Sequence, residues 1–75
     1  MDQEGFVETL IRQCTNDVRE VLVECEHRGQ LDFEAFHKKI QQTWKAARHG
    51  GLSPDQFRSV LEDVVPAYVD RIELT

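Results

Sequence analysis

Apolar residues recur through the first third of the chain at Phe6, Val7, Leu10, Ile11, Cys14, Val18, Val21, Leu22 and Cys25. This is the three-and-four spacing of one face of an α-helix. At 100° per residue they fill a sector about 160° wide, leaving Glu8, Arg12, Arg19 and Glu26 outside it. Val23 alone falls off the stripe. The pattern predicts a helix over about residues 3–28, starting near Asp2 or Glu4 and closed after Arg28 by Gly29 in the left-handed conformation. Phe33, Phe36, Ile40, Trp44 and Ala47 form a second stripe, only about 80° wide, predicting a helix over 33–48. Phe57, Val60, Leu61, Val64, Tyr68 and Ile72 form a third over 54–73, which Val65 and Val69 widen towards 180°.

Two hexapeptides mark where the later helices begin. Leu31-Asp32-Phe33-Glu34-Ala35-Phe36 and Leu52-Ser53-Pro54-Asp55-Gln56-Phe57 each place an apolar residue, a capping side chain, a first-turn acid and an aromatic in order. Asp32 and Ser53 have oxygens for backbone N–H groups that lack a partner within the helix. Leu31 with Phe36, and Leu52 with Phe57, have the spacing of a hydrophobic staple, and Ser53 with Gln56 that of a capping box. Pro54 suits the first turn, where its missing N–H costs nothing. Pro66 is a different matter: inside a helix it removes a backbone bond and clashes with the preceding turn, so a kink or break is expected there. Pairs at i, i+4 are expected between Glu8 and Arg12, Glu24 and Arg28, and Glu34 and Lys38.

The expected fold is therefore all-α: one domain over residues 1–75, a small antiparallel three-helix bundle with its third helix kinked or broken near Pro66. The helices do not match in length or width. A first helix of about 36 Å would outrun a second of about 24 Å, leaving Phe6, Val7, Leu10 and Ile11 over nothing. Excess apolar surface on a globule marks an interaction site. Either the chain beyond Pro66 folds over this overhang, or a second copy covers it. The second is preferred, because a core built from so few residues is thin on its own. The expected contact surface is Phe6, Val7, Leu10 and Ile11 together with Val65, Val69 and Ile72.

Charge adds one alternative. Residues 1–28 carry net −4, residues 29–50 net +2 and residues 51–75 net −3, for −5 overall. Nucleic acid draws on basic patches, so the balance argues against it as a partner. The basic face of the middle helix, Lys38, Lys39, Lys45 and Arg48, is the one footprint for a nucleic-acid-associated regulator. As part of a helix-turn-helix the third helix would present Asp55, Glu62, Asp63 and Asp70 to phosphate.

Candidate chemistry is sparse. Cys14 and Cys25 lie almost three helical turns apart, about 16 Å, too far to bond to each other, so buried reduced thiols are expected. His27, His37 and His49 have no ligand partners at C-x2-C or H-x3-H spacing. Residues 24–35 fail as a calcium loop, because Arg28 and Ala35 stand where oxygens are required. No phosphate-cradling glycine loop is present, since Gly50-Gly51 ends the second helix. No apolar run reaches the roughly 20 residues of a membrane span, and the acidic start does not resemble a secretory signal. These readings lead to a non-catalytic, cofactor-free, metal-free cytoplasmic protein. It acts as a small adaptor or regulator by binding protein, and forms a homodimer through its first and third helices.

Overall fold

The computed structural model describes residues 3–74. Helix α1 spans Gln3–Cys25, α2 spans Phe33–His49 and α3 spans Pro54–Val64. The proposed start near Asp2 lies outside the described residues, as does the end of the tail at Thr75. The three-helix bundle expected from the stripes is present, and its caps form as read. The Asp32 carboxylate accepts from Ala35 N–H at 3.3 Å. Ser53 Oγ accepts from Gln56 N–H at 3.2 Å, while Gln56 Oε1 accepts from Ser53 N–H at 2.9 Å, closing the capping box. Replacing Ser53 with Ala is expected to cost about 1 kcal/mol in a urea titration, the usual worth of such a cap. An unchanged midpoint would show that Pro54 alone sets the start of α3.

The end of α1 differs from expectation. It stops at Cys25, three residues short of Arg28, and a hairpin of Glu26–His27 (β1) and Gln30–Leu31 (β2) follows. Glu26 pairs with Leu31 and His27 with Gln30. Between the strands, Arg28 (φ 54°) and Gly29 (φ 80°) both take positive φ, as a two-residue primed turn requires. Gly29 is thus the second turn residue and not a helix C-cap. Asp32 N–H donates to Cys25 O at 2.9 Å, so the hairpin base satisfies a carbonyl at the end of α1. With Arg28 off the helix, Glu24 instead meets Lys39 of α2 at 2.5 Å. Among the described residues the other ion pairs are Arg58–Glu62 and Arg58–Asp70, so neither Glu8–Arg12 nor Glu34–Lys38 forms one.

Helix α3 ends at Val64, well short of residue 73. The residue before a proline is steered away from helical ψ, and Val65 sits at φ −132°, ψ 57°. Pro66 has no N–H to continue the ladder, and its ring would collide with the carbonyl of Glu62. The chain then turns through Tyr68 N–H to Val65 O (2.9 Å) into a short 3-10 turn, Val69–Arg71. This break followed by a short terminal turn is one of the two outcomes expected at Pro66.

One hydrophobic cluster unites the parts. Cys14, Val18 and Cys25 come from α1, Phe36, Ile40 and Trp44 from α2, and Leu52 from the loop. Phe57, Val60 and Leu61 come from α3, and Val65 and Ile72 from the chain around and beyond the break. Trp44 packs its ring 5.2 Å from Phe57, in the core as its stripe position implied. The body measures 45 × 22 × 18 Å. Its radius of gyration of 12.4 Å exceeds the roughly 11 Å of a spherical domain this long.

Candidate interaction surface

Three rows of side chains on α2 decide what meets what. Phe36, Ile40 and Trp44 face the core. On one flank Lys39 reaches Glu24 of α1, and Thr43, Ala46 and Ala47 share a cavity of about 140 Å³ with Leu10, Gln13, Cys14 and Asp17. On the other flank, Phe33, His37 and Gln41 carry the returning tail. Tyr68 sits 6.1 Å from Phe33 and 6.4 Å from Phe36, ring to ring, and the Arg71 guanidinium lies 4.1 Å over Phe33.

The tail therefore folds back, but onto α2 and α3 and not onto the protruding end of α1. Leu10 lies level with the C-terminal end of α2: its Cδ2 stands 3.5 Å from where a side chain on Gly50 would begin. Residues 3–9 extend past that level, about 10 Å of helix at 1.5 Å per residue. Here Phe6 is 61% exposed. Val7, Leu10 and Ile11 are half-buried.

The other half of the expected surface is not open. Val65 is 3% exposed and Ile72 9%, both inside the core cluster, while Val69 is half-buried against it. The break at Pro66 reverses the chain and turns these residues inward, so they serve the monomer's own core. Val23, 73% exposed, stands alone on the opposite side of α1 from the core stripe.

Lys38, Lys45 and Arg48 lie within about 80° of one another around α2, and Lys39 points to the α1 side. Lys39 is taken up by Glu24, whose hydrogen bond holds the ammonium above its ordinary pKa. Arg48 leans towards the Trp44 ring at 6.0 Å. Lys38 and Lys45 are exposed. Between α3 and the tail lies a half-open cleft of about 370 Å³, large enough for a small ligand. The cation lining it, Arg58, is already shared between Glu62 at 3.7 Å and Asp70 at 3.6 Å.

Both cysteines are free and buried. Burial pushes the Cys14 thiol up to about 11, and nearby Asp17 adds to the rise. Burial also raises Cys25. A thiol so disfavoured as a thiolate is a poor nucleophile. Among the described residues no three His, Cys, Asp or Glu side chains converge on a metal position, and no helix is long and apolar enough to cross a membrane. No family model, curated protein or solved structure matches this chain. Its surface must speak for itself.

The role of His37 and Gln41 is the feature that sequence reading passes over. Their spacing from Phe33, four and eight residues, is the available signal, since it extends one helical row beneath an aromatic. Nothing local says that residue 73 will arrive there.

Proposed function

We propose that this chain is a non-catalytic protein–protein interaction module, a small cytoplasmic adaptor or regulator, that pairs with a second copy of itself through the N-terminal turns of α1. The observation that carries the reading is Phe6, 61% exposed on a helix end that extends past the end of α2 among the described residues. Its open surface is on the order of 120 Å², worth about 3 kcal/mol if buried. Two copies packed antiparallel about a two-fold axis bury both phenylalanines at once. The same arrangement brings Leu10, one turn along the same face of α1, to the edge of the contact. Buried reduced thiols suit a reducing compartment.

The gain is modest against the 4–15 kcal/mol that association costs. Pairing is therefore expected to be micromolar or weaker, with the exposed side of α1 sharing the contact. Sedimentation equilibrium from about 1 μM to 1 mM brackets that range. The mass should rise from 8.7 kDa towards twice that value. Phe6→Asp should remain monomeric throughout while keeping its helicity. Phe6 is the position to alter rather than Leu10, which also touches the α2 terminus. A wild-type mass that stays at the monomer value at every concentration removes the proposal.

A further inference from the structure

The tail over residues 66–74 is a strap laid across the α2–α3 side of the bundle. Its apolar teeth are Tyr68, Val69 and Ile72, and its far end is held by polar contacts on one residue, Glu73. Glu73 N–H donates to His37 Nε2 at 3.4 Å. Gln41 Nε2 donates to Glu73 O. The Gln41 amide also lies 3.5 Å from His37 Nε2. Both polar groups facing that ring nitrogen are thus N–H donors. A histidine nitrogen met by donors has to be the unprotonated one, with the proton on Nδ1.

From this geometry we infer that the strap is a pH-sensitive latch, closed by neutral His37 and released when that ring is protonated. Protonation places an N–H on Nε2, so the contact with Glu73 N–H changes from donor–acceptor to donor–donor. It also adds a positive charge beside Phe33, whose ring is 5.9 Å from His37 and already carries the Arg71 guanidinium. The charged and titratable residues nearest in sequence on the two elements that meet here are Glu34, Lys38 and Lys39 on α2, and Tyr68, Asp70, Arg71 and Glu73 on the strap. Of the carboxylates, Asp70 is engaged with Arg58 at 3.6 Å. Among the described residues no ion pair involves His37, so no carboxylate is placed to replace the lost bond.

Release has a defined consequence. The strap covers Phe36 and Leu61, at 0% and 1% exposure, and fills the slot that Ile72 occupies. Opening would bare an apolar groove between α2 and α3 while the α1 contacts, on the opposite side, stay in place. This device is independent of pairing through Phe6.

Amide hydrogen exchange on the full chain at pH 7.5 and pH 5.5, expressed as protection relative to the unfolded rate, tests the latch. Strap amides at Ile72 and Glu73 should lose protection on the order of tenfold at the lower pH, while Ile40 in the centre of α2 keeps its own. His37→Gln, which cannot titrate, should abolish that pH dependence, whether its strap sits closed or open. His27→Gln and His49→Gln should retain it. Strap protection that is the same at both pH values overturns the inference. So does a loss that persists in His37→Gln, or one in which Ile40 loses protection equally.

Discussion

Phe36→Ala is expected to leave the protein at the edge of unfolding. Phe36 is fully buried, at 0% exposure, and stands where α1, α3 and the strap all converge on α2. Its ring lies 6.3 Å from Phe33 and 6.4 Å from Tyr68, so truncation also removes the floor under the strap. Emptying a site of this kind costs about 3–5 kcal/mol in lost transfer energy and residual cavity. A domain of this length has a total stability of roughly 4–11 kcal/mol, so the loss takes about a quarter of it at least. Urea denaturation followed by helical circular dichroism reads the effect directly. Phe6→Ala provides the contrast: being exposed, it should shift the curve by less than about 1 kcal/mol. A Phe36→Ala protein as stable as Phe6→Ala would mean that the core is not where the structure puts it.

The second large effect is alkaline. Cys14 is held neutral in the fold, with its thiol pushed up to about 11 by burial and by Asp17. The unfolded chain releases that proton at an ordinary thiol pKa. Folded protein thus binds the proton more tightly. The stability this contributes is complete below the unfolded pKa and is lost as pH rises through the folded one. Between about pH 9 and 11 the fold should lose on the order of 2–3 kcal/mol from this group. Tyrosine and lysine also titrate in that window, so the measurement is a difference: the urea midpoint against pH for wild type and for Cys14→Ala. The variant should start lower and fall less steeply. Parallel curves would show that Cys14 ionises as freely in the fold as outside it. A thiol reagent gives the kinetic counterpart, with native Cys14 modified roughly a hundredfold more slowly than an unburied cysteine at the same pH.

Much of the structure was readable because its causes act over a few residues. A cap joins Asp32 to Ala35 or Ser53 to Gln56 across a single turn. Pro66 breaks its helix through a clash with its own preceding turn, and the stripe through Phe36, Ile40 and Trp44 follows from the helical period alone. The hairpin was harder for an instructive reason. Gly29 at positive φ suits both a helix C-cap and a primed turn, and Glu24 with Arg28 spells a plausible continuing helix. The choice between them was made by Asp32 bonding back to Cys25 and by Lys39 claiming Glu24, both of which need α2 to be in place.

The candidate surface divides along the same line. Phe6 and Val7 overhang because α1 is longer than α2, while Leu10 and Ile11 pack against the core cluster, and the lengths of both helices are local properties. Val65, Val69 and Ile72 carry the same greasy signature in sequence, yet the fold spends them internally. Whether a wide apolar stripe faces its own bundle or another molecule depends on where the chain goes after a break, and nothing within a turn of Pro66 specifies that.

Sequence by itself determined the helices, their starts, the break at Pro66, the burial of Trp44 and of both thiols, and the mismatch that leaves α1 protruding. Tertiary structure alone decided that the tail returns to α2, that Ile72 belongs to the core, and that His37 receives the N–H of Glu73. Caps, proline restrictions and helical periodicity are written between neighbours. The meeting of residues 37 and 73 is set by which of several apolar faces buries most when the whole chain closes.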